Sequence, residues 1–134
     1  MLFRDETHEK LYYKWERQLD PMGRNSELKA LLYLLSMDEV LREHAREVFN
    51  FSERCIIRTA LDESWQTSSS KNTTRLAFNL WNCRNCRDVD ENGDEIEDTE
   101  HYYTPGWIFG NSYIPYYIQA IKIRHDAHIY ELPF

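Results

Sequence analysis

From Asp5 to Gln18 the chain reads DETHEKLYYKWERQ, and Leu11, Trp15 and Leu19 recur every four residues, as one face of a helix requires. Pro21 and Gly23 break that pattern. Ser26 then stands where a cap belongs, ahead of ELKALLYLLS, whose Leu28, Leu31, Leu32 and Leu35 form a buried stripe. Asp38 opens a third helix, DEVLREHAREVF, with Val40, Leu41, Ala45, Val48 and Phe49 inward. After Asn50-Phe51-Ser52, a fourth is expected over ERCIIRTALDESW, capped by Ser52 and burying Ile56, Ile57, Ala60 and Leu61. The run QTSSS reads as a turn, and KNTTRLAFNLWN as a fifth helix with Leu76, Leu80 and Trp81 on one face. TPGWIFG is a turn or single helical turn, and Pro115 suits the start of a last helix, IPYYIQAIKIRH. The pattern predicts a mainly α fold, a single helical domain over 1–134 of about six helices, with a small irregular or hairpin insert at 83–104.

Composition narrows the class. With 134 residues, 42% of them apolar and 14% aromatic, the chain can close one core without staples. Only four Gly and four Pro argue against a β-sandwich with many tight turns. No stretch approaches the roughly 20 apolar residues of a membrane span. The N-terminal MLFRDETHEK lacks an apolar signal region, so a soluble intracellular protein is expected. Three cysteines, an odd count, fit thiols or a metal better than a disulfide framework.

The net charge of −7 is concentrated in one place. Residues 88–100 hold eight acids and no base: Asp88, Asp90, Glu91, Asp94, Glu95, Glu97, Asp98 and Glu100. Elsewhere 15 acids stand against 16 bases, which is near neutral. Direct nucleic-acid binding through a basic face is therefore disfavoured, and a partner protein with a basic surface is favoured.

The acidic run begins just after Cys83-x-x-Cys86 and is followed by His101. Calcium fits its start, since Asp88, Asp90, Asn92 and Gly93 match an EF-hand loop. The match then slips: Ile96 falls at position 9, Thr99 at 12 and Glu100 at 13, so the bidentate acid is out of phase. Zinc fits better. Two thiolates on one knuckle supply two tetrahedral positions, and a hairpin turning at Asn92-Gly93 would return His101 to them. The fourth ligand is open among Cys55, His125, His128 and an acid of the loop. A structural zinc on Cys83, Cys86 and His101, with Cys55 as a candidate, is the reading. Thioredoxin-like redox chemistry is weaker, because it needs the pair at a helix start and here it follows a helix end.

Other chemistry is thin. Ser68, Ser69 and Ser70 lack a Gly-x-Ser-x-Gly elbow and read as turn and capping hydroxyls. His8 and His44 fall on amphipathic helices as surface residues. His125 and His128, three apart beside Asp126, could hold a metal, and with His101 they define a metal-dependent hydrolase as one alternative. No His-Glu-x-x-His and no phosphate-binding Gly-rich loop occurs. The expectation is a binding protein rather than an enzyme.

The stretches WQTSSSKNTTRLAFNLWN (65–82) and FGNSYIPYYIQAIKIRH (109–125) resemble a family of small proteins encoded in phages and mobile elements of Gram-positive bacteria. His8 with Leu11, and LLYLLS at 31–36, look like the same family, from which the cysteine pair and acidic insert depart. By size, charge and knuckle the chain also resembles the anti-CRISPR proteins that act on type II effector nucleases. The resemblance implies a non-enzymatic, phage-encoded inhibitor in the host cytoplasm. Its acidic loop would sit beside the positively charged channel of such an effector and keep target DNA out. A regulatory or structural phage protein-interaction module unrelated to CRISPR is the other alternative.

Overall fold

The second helix is the axis of the molecule. In the computed structural model, which describes residues 1–81, 91–92, 94 and 99–125 (backbone alone for 99 and 100), α2 spans Ser26–Met37. Nine of its twelve residues are buried, so it is covered on every side rather than along a stripe. Around it pack α1 (Glu6–Leu19), α3 (Glu39–Glu43), α5 (Ser68–Leu80) and α7 (Ile114–Arg124). Short α4 (Ala45–Val48) and α6 (Pro105–Ile108) complete a mainly helical fold. Among the described residues no helix is long and apolar enough to cross a membrane.

The helix starts follow capping chemistry. Asp5 accepts the amide of His8 at 2.7 Å and so caps α1. The cap of α2 is Asn25, not Ser26: its side chain accepts the amide of Leu28 at 3.0 Å, and Ser26 is the first helical residue. Asp20, buried at the end of α1, accepts the amides of Arg24 and Asn25, and Gly23 (φ +64°) turns the chain between the two helices. At the other end of α2, Arg4 and Arg42 both donate to the carbonyl of Met37, and Arg42 Nε donates to that of Ser36 at 2.8 Å. Two guanidinium groups thus satisfy carbonyls that a helix end leaves open.

Three expectations are corrected. The single helix 38–49 is two short ones, divided at His44. The helix over ERCIIRTALDESW does not form. Phe49–Asn50 (β1) pairs antiparallel with Cys55–Ile56 (β2), and a 3-10 helix follows over Arg58–Asp62. Asn50 Oδ1 accepts the amide of Glu53 at 2.9 Å, and Arg54 adopts a left-handed φ of 53°, so the chain reverses where Ser52 was to cap. The run QTSSS is also partly helical. Thr67 is the cap of α5, its hydroxyl accepts the amide of Ser70 at 3.0 Å, and Ser70 Oγ accepts the amide of Thr67 at 2.8 Å.

Helix α5 is buried on nearly all sides from Thr73 to Phe78, with Leu80 and Trp81 beyond. A buried chain of hydroxyls joins it to α7. Thr73 donates to the carbonyl of Ser69 at 3.1 Å, so Tyr117 is the donor in its 2.6 Å bond to Thr73 Oγ1. Asn111 Nδ2 in turn donates to the Tyr117 oxygen at 3.3 Å. Burial pushes the Tyr117 phenol up to about 12. At the far end, Arg124 Nε donates to the carbonyl of Leu80 at 2.8 Å, and its guanidinium meets Glu27 at 3.3 Å. The end of α5, the start of α2 and the end of α7 are tied together there.

Candidate functional site

Helix α5 ends just before Trp81, the last described residue ahead of the acidic run. Trp81 is buried there and packs edge-on against Phe49 of β1, ring centroids 5.2 Å apart. Phe49 is opposite Ile56, which places the Cys55–Ile56 strand on the same side of the molecule as that helix end. Cys55 is a free, exposed thiol. The chain re-enters through a 3-10 helix, Thr99–Tyr103, that packs on α5. The described residues that flank the acidic run, Trp81 and the 3-10 helix, thus lie at the end of α5 and against it.

Of the expected partner-binding acids, Glu91 and Asp94 are exposed, with Glu91 and Asn92 in a turn. Asp88, Asp90, Glu95, Glu97 and Asp98 lie outside the described residues, as does the side chain of Glu100. So do Gly93 of the expected Asn-Gly turn and its flanking Val89 and Ile96.

The candidate zinc ligands divide the same way. Cys83, Cys86 and His128 lie outside the described residues. His101 is exposed in the 3-10 helix, its ring 4.0 Å from that of Tyr102 and edge-on to Trp107 at 5.4 Å. His125 is exposed at the end of α7 and borders an apolar cleft with Leu80 and Tyr103. Among the described residues no three His, Cys, Asp or Glu side chains gather as a metal site.

Next to the re-entry point is a feature that the sequence reading passed over. Ser68, Lys71, Asn72 and Arg75 recur along one face of α5, and with Tyr102 and Trp107 they line a groove of about 240 Å³. Arg75 is 4% exposed, and its guanidinium carbon stands 4.5 Å from the centroid of the Tyr102 ring. Tyr102 meets Trp107 edge-on at 4.7 Å, and Trp107 is 45% exposed. The sequence signal was the i, i+3, i+4, i+7 spacing of the polar positions 68, 71, 72 and 75.

The remaining histidines are placed differently from expectation. His8 is fully buried beneath Phe3, Tyr33 and Tyr116, not on the surface. Burial depresses its basicity, to a pKa of about 4, and the nearby Arg42 and Arg4 cations act in the same direction. His44 is half-buried at the break between α3 and α4, stacked on Trp65 at 4.2 Å with its Nδ1 on the Glu47 carboxylate.

Compared with known proteins, the chain matches one family model, the family of unknown function DUF6075, over residues 1–133. No curated protein and no solved structure matches.

Proposed function

This chain belongs to the DUF6075 family, and on that premise we propose that it is a non-enzymatic binding protein. Its acidic run, 88–100, engages a basic surface on a protein that handles nucleic acid. The observation that supports this is the packing on either side of the run. Trp81, seven residues before the run, is buried, the 3-10 helix Thr99–Tyr103 at its end packs on α5, and its described acids Glu91 and Asp94 are exposed. A run of eight acids flanked by packed segments on both sides meets a positive partner with less loss of chain freedom than a free tail would.

In the same proposal a structural zinc, held by Cys83, Cys86 and His101, fixes the run. Cys55 is the candidate fourth ligand. Support comes from the position of its strand, since Phe49 packs on Trp81 two residues before Cys83. His125 is the alternative, because the neighbouring Arg124 bonds the carbonyl of Leu80 at the same helix end.

The first partner to test is a type II CRISPR effector nuclease, with the chain encoded by a phage and acting in the host cytoplasm. Such an effector holds its guide and target in a positively charged channel. The experiment is guided DNA cleavage by a purified effector, with the protein added before or after target DNA. Inhibition only on prior addition supports blocked DNA loading. No inhibition in either order, across several effectors, removes this partner.

A further inference from the structure

We infer that the outer face of α7 is an interface between two copies of this chain, packed antiparallel about a two-fold axis near Ile118. The inference rests on α7 and its flank and does not depend on the acidic run or its partner. Helix α7 reads IPYYIQAIKIR, with isoleucine at 114, 118, 121 and 123, so it is apolar on more than one face. A helix that is apolar all round belongs in an interior. Helix α2 obeys this rule, with nine of its twelve residues buried, but α7 buries only Tyr117 and Ala120. Ile114 is 38% exposed and Ile118, one turn on, 45%. Pro115 between them is exposed as well. The patch widens onto the N-terminal segment. The amide of Leu2 donates to Gln119 Oε1 at 3.1 Å, which sets exposed Leu2 and Met1 beside α7. That segment is held in place, because Tyr33 donates to the carbonyl of Leu2 at 2.6 Å and the Phe3 ring packs on those of His8, Tyr12 and Tyr33. Four of the six exposed large apolar side chains among the described residues thus lie on α7 or beside it.

The spacing along this face selects a second copy as its cover. Ile114, Ile118 and Lys122 stand four apart, on one face of α7. A second α7 laid antiparallel, with the axis at Ile118, sets Ile118 on Ile118 and Ile114 on the aliphatic stem of Lys122 of the second copy. Charge follows the same symmetry. The basic residues Lys122 and Arg124 stand in the last turn of α7. At its start the Arg4 guanidinium covers the Tyr113 ring at 5.3 Å and meets Glu39 at 3.5 Å, which puts an exposed carboxylate at the opposite end. Antiparallel packing brings the basic end of each copy to the acidic end of the other, whereas parallel packing sets like against like. The patch has far fewer residues than the roughly 20–30 a side of a standard interface, so the dimer is weak and reversible.

Sedimentation of the full chain over a wide range of concentration reads the association, and thermal melting of each variant checks that the fold is intact. The chain is expected to pass reversibly from monomer to dimer. Ile118→Asp should raise the dissociation constant by about tenfold or more, and Ile114→Gln repeats the test at a second exposed position. Lys122→Glu and Glu39→Lys should each weaken the dimer several-fold. Their combination should regain most of the loss, because the pair is exchanged intact across the axis. A chain that stays monomeric at every concentration overturns the inference and leaves this face to another cover. So does a dimer that both isoleucine variants leave unchanged, or an assembly larger than two. A charge-exchanged double variant as weak as the sum of its single ones overturns it too. Effector inhibition is scored separately, so either proposal can fail alone.

Discussion

His8 Nε2 donates to the carbonyl of Tyr33 at 3.0 Å, across the contact between α1 and α2. The tautomer is fixed because the backbone amide of Arg4 donates to Nδ1 at 3.0 Å and an amide can only donate. A proton on Nδ1 would set two N–H groups against each other in a buried site. The folded protein therefore keeps His8 neutral down to a pKa of about 4, while the unfolded chain takes up a proton near the ordinary histidine value of 6.5. The folded value is lower, so the stabilisation is complete above 6.5 and is lost as pH falls toward 4. The loss is about 3 kcal/mol at most. Below that window Asp5, held under its ordinary value by the His8 amide and Arg42 against its own desolvation, adds to the loss. Asp38, raised by burial, works the other way. Urea midpoints at pH 7 and 4.5 should differ far less in His8→Gln, which retains a donor. Equal pH dependence in the two proteins would contradict this account.

Tyr117→Phe should cost about 1–3 kcal/mol. The phenol both donates to Thr73 and accepts from Asn111, so its removal strands one buried acceptor and one donor. Thr73→Val should cost a similar amount, and the double variant less than their sum, because both break one chain. Chemical denaturation of the four proteins measures the coupling, and strict additivity would show that the chain is not one unit.

Reversing Glu91 and Asp94 to Lys should leave stability within about 0.5 kcal/mol, since both are exposed. Association with a basic partner should slow, and its dependence on salt should weaken. Stopped-flow association at two ionic strengths decides. Extending the reversal to Glu95, Glu97 and Asp98 should abolish inhibition, and inhibition that survives it rules out charge as the means of engagement.

Cys83→Ser is expected to lower zinc content and melting temperature together, because a structural zinc contributes folding energy. Metal analysis of Cys55→Ser and His125→Ala separates the two candidate fourth ligands. A wild-type chain without zinc, melting at the same temperature with and without chelator, removes the site.

Sequence periodicity located α1, α2, α5 and α7 to within a few residues, because each buries a face at helical spacing. In α1 it chose the wrong centre. Leu11, Trp15 and Leu19 flank the buried line, which runs through His8 and Tyr12. Two polar-edged rings hide that line from a count of aliphatic residues. The segment 52–65 was misread because Ile56, Ile57, Ala60 and Leu61 suit a helix face as well as they suit the real hairpin and 3-10 helix. What decides is the Asn50 side chain taking the Glu53 amide, together with Arg54, whose guanidinium reaches the carbonyl of Leu19 at 2.7 Å. That second contact spans 35 residues, beyond any local pattern. The groove on α5 escaped for a related reason: its polar positions are periodic, but Tyr102 and Trp107 reach it only through the fold.

The burial of α2 on every side has a consequence for how the chain is made. A ribosome releases Ser26–Met37 long before Ile114–Arg124, the helix that packs along it. At roughly 5–20 residues per second, the stretch between Met37 and Ile114 takes about 4–15 s to appear. For that interval the nascent LLYLLS segment has no cover from its last neighbour. Vectorial synthesis thus leaves the most apolar segment of the chain waiting longest for its cover, and a chain ending before α7 would leave that face of α2 bare.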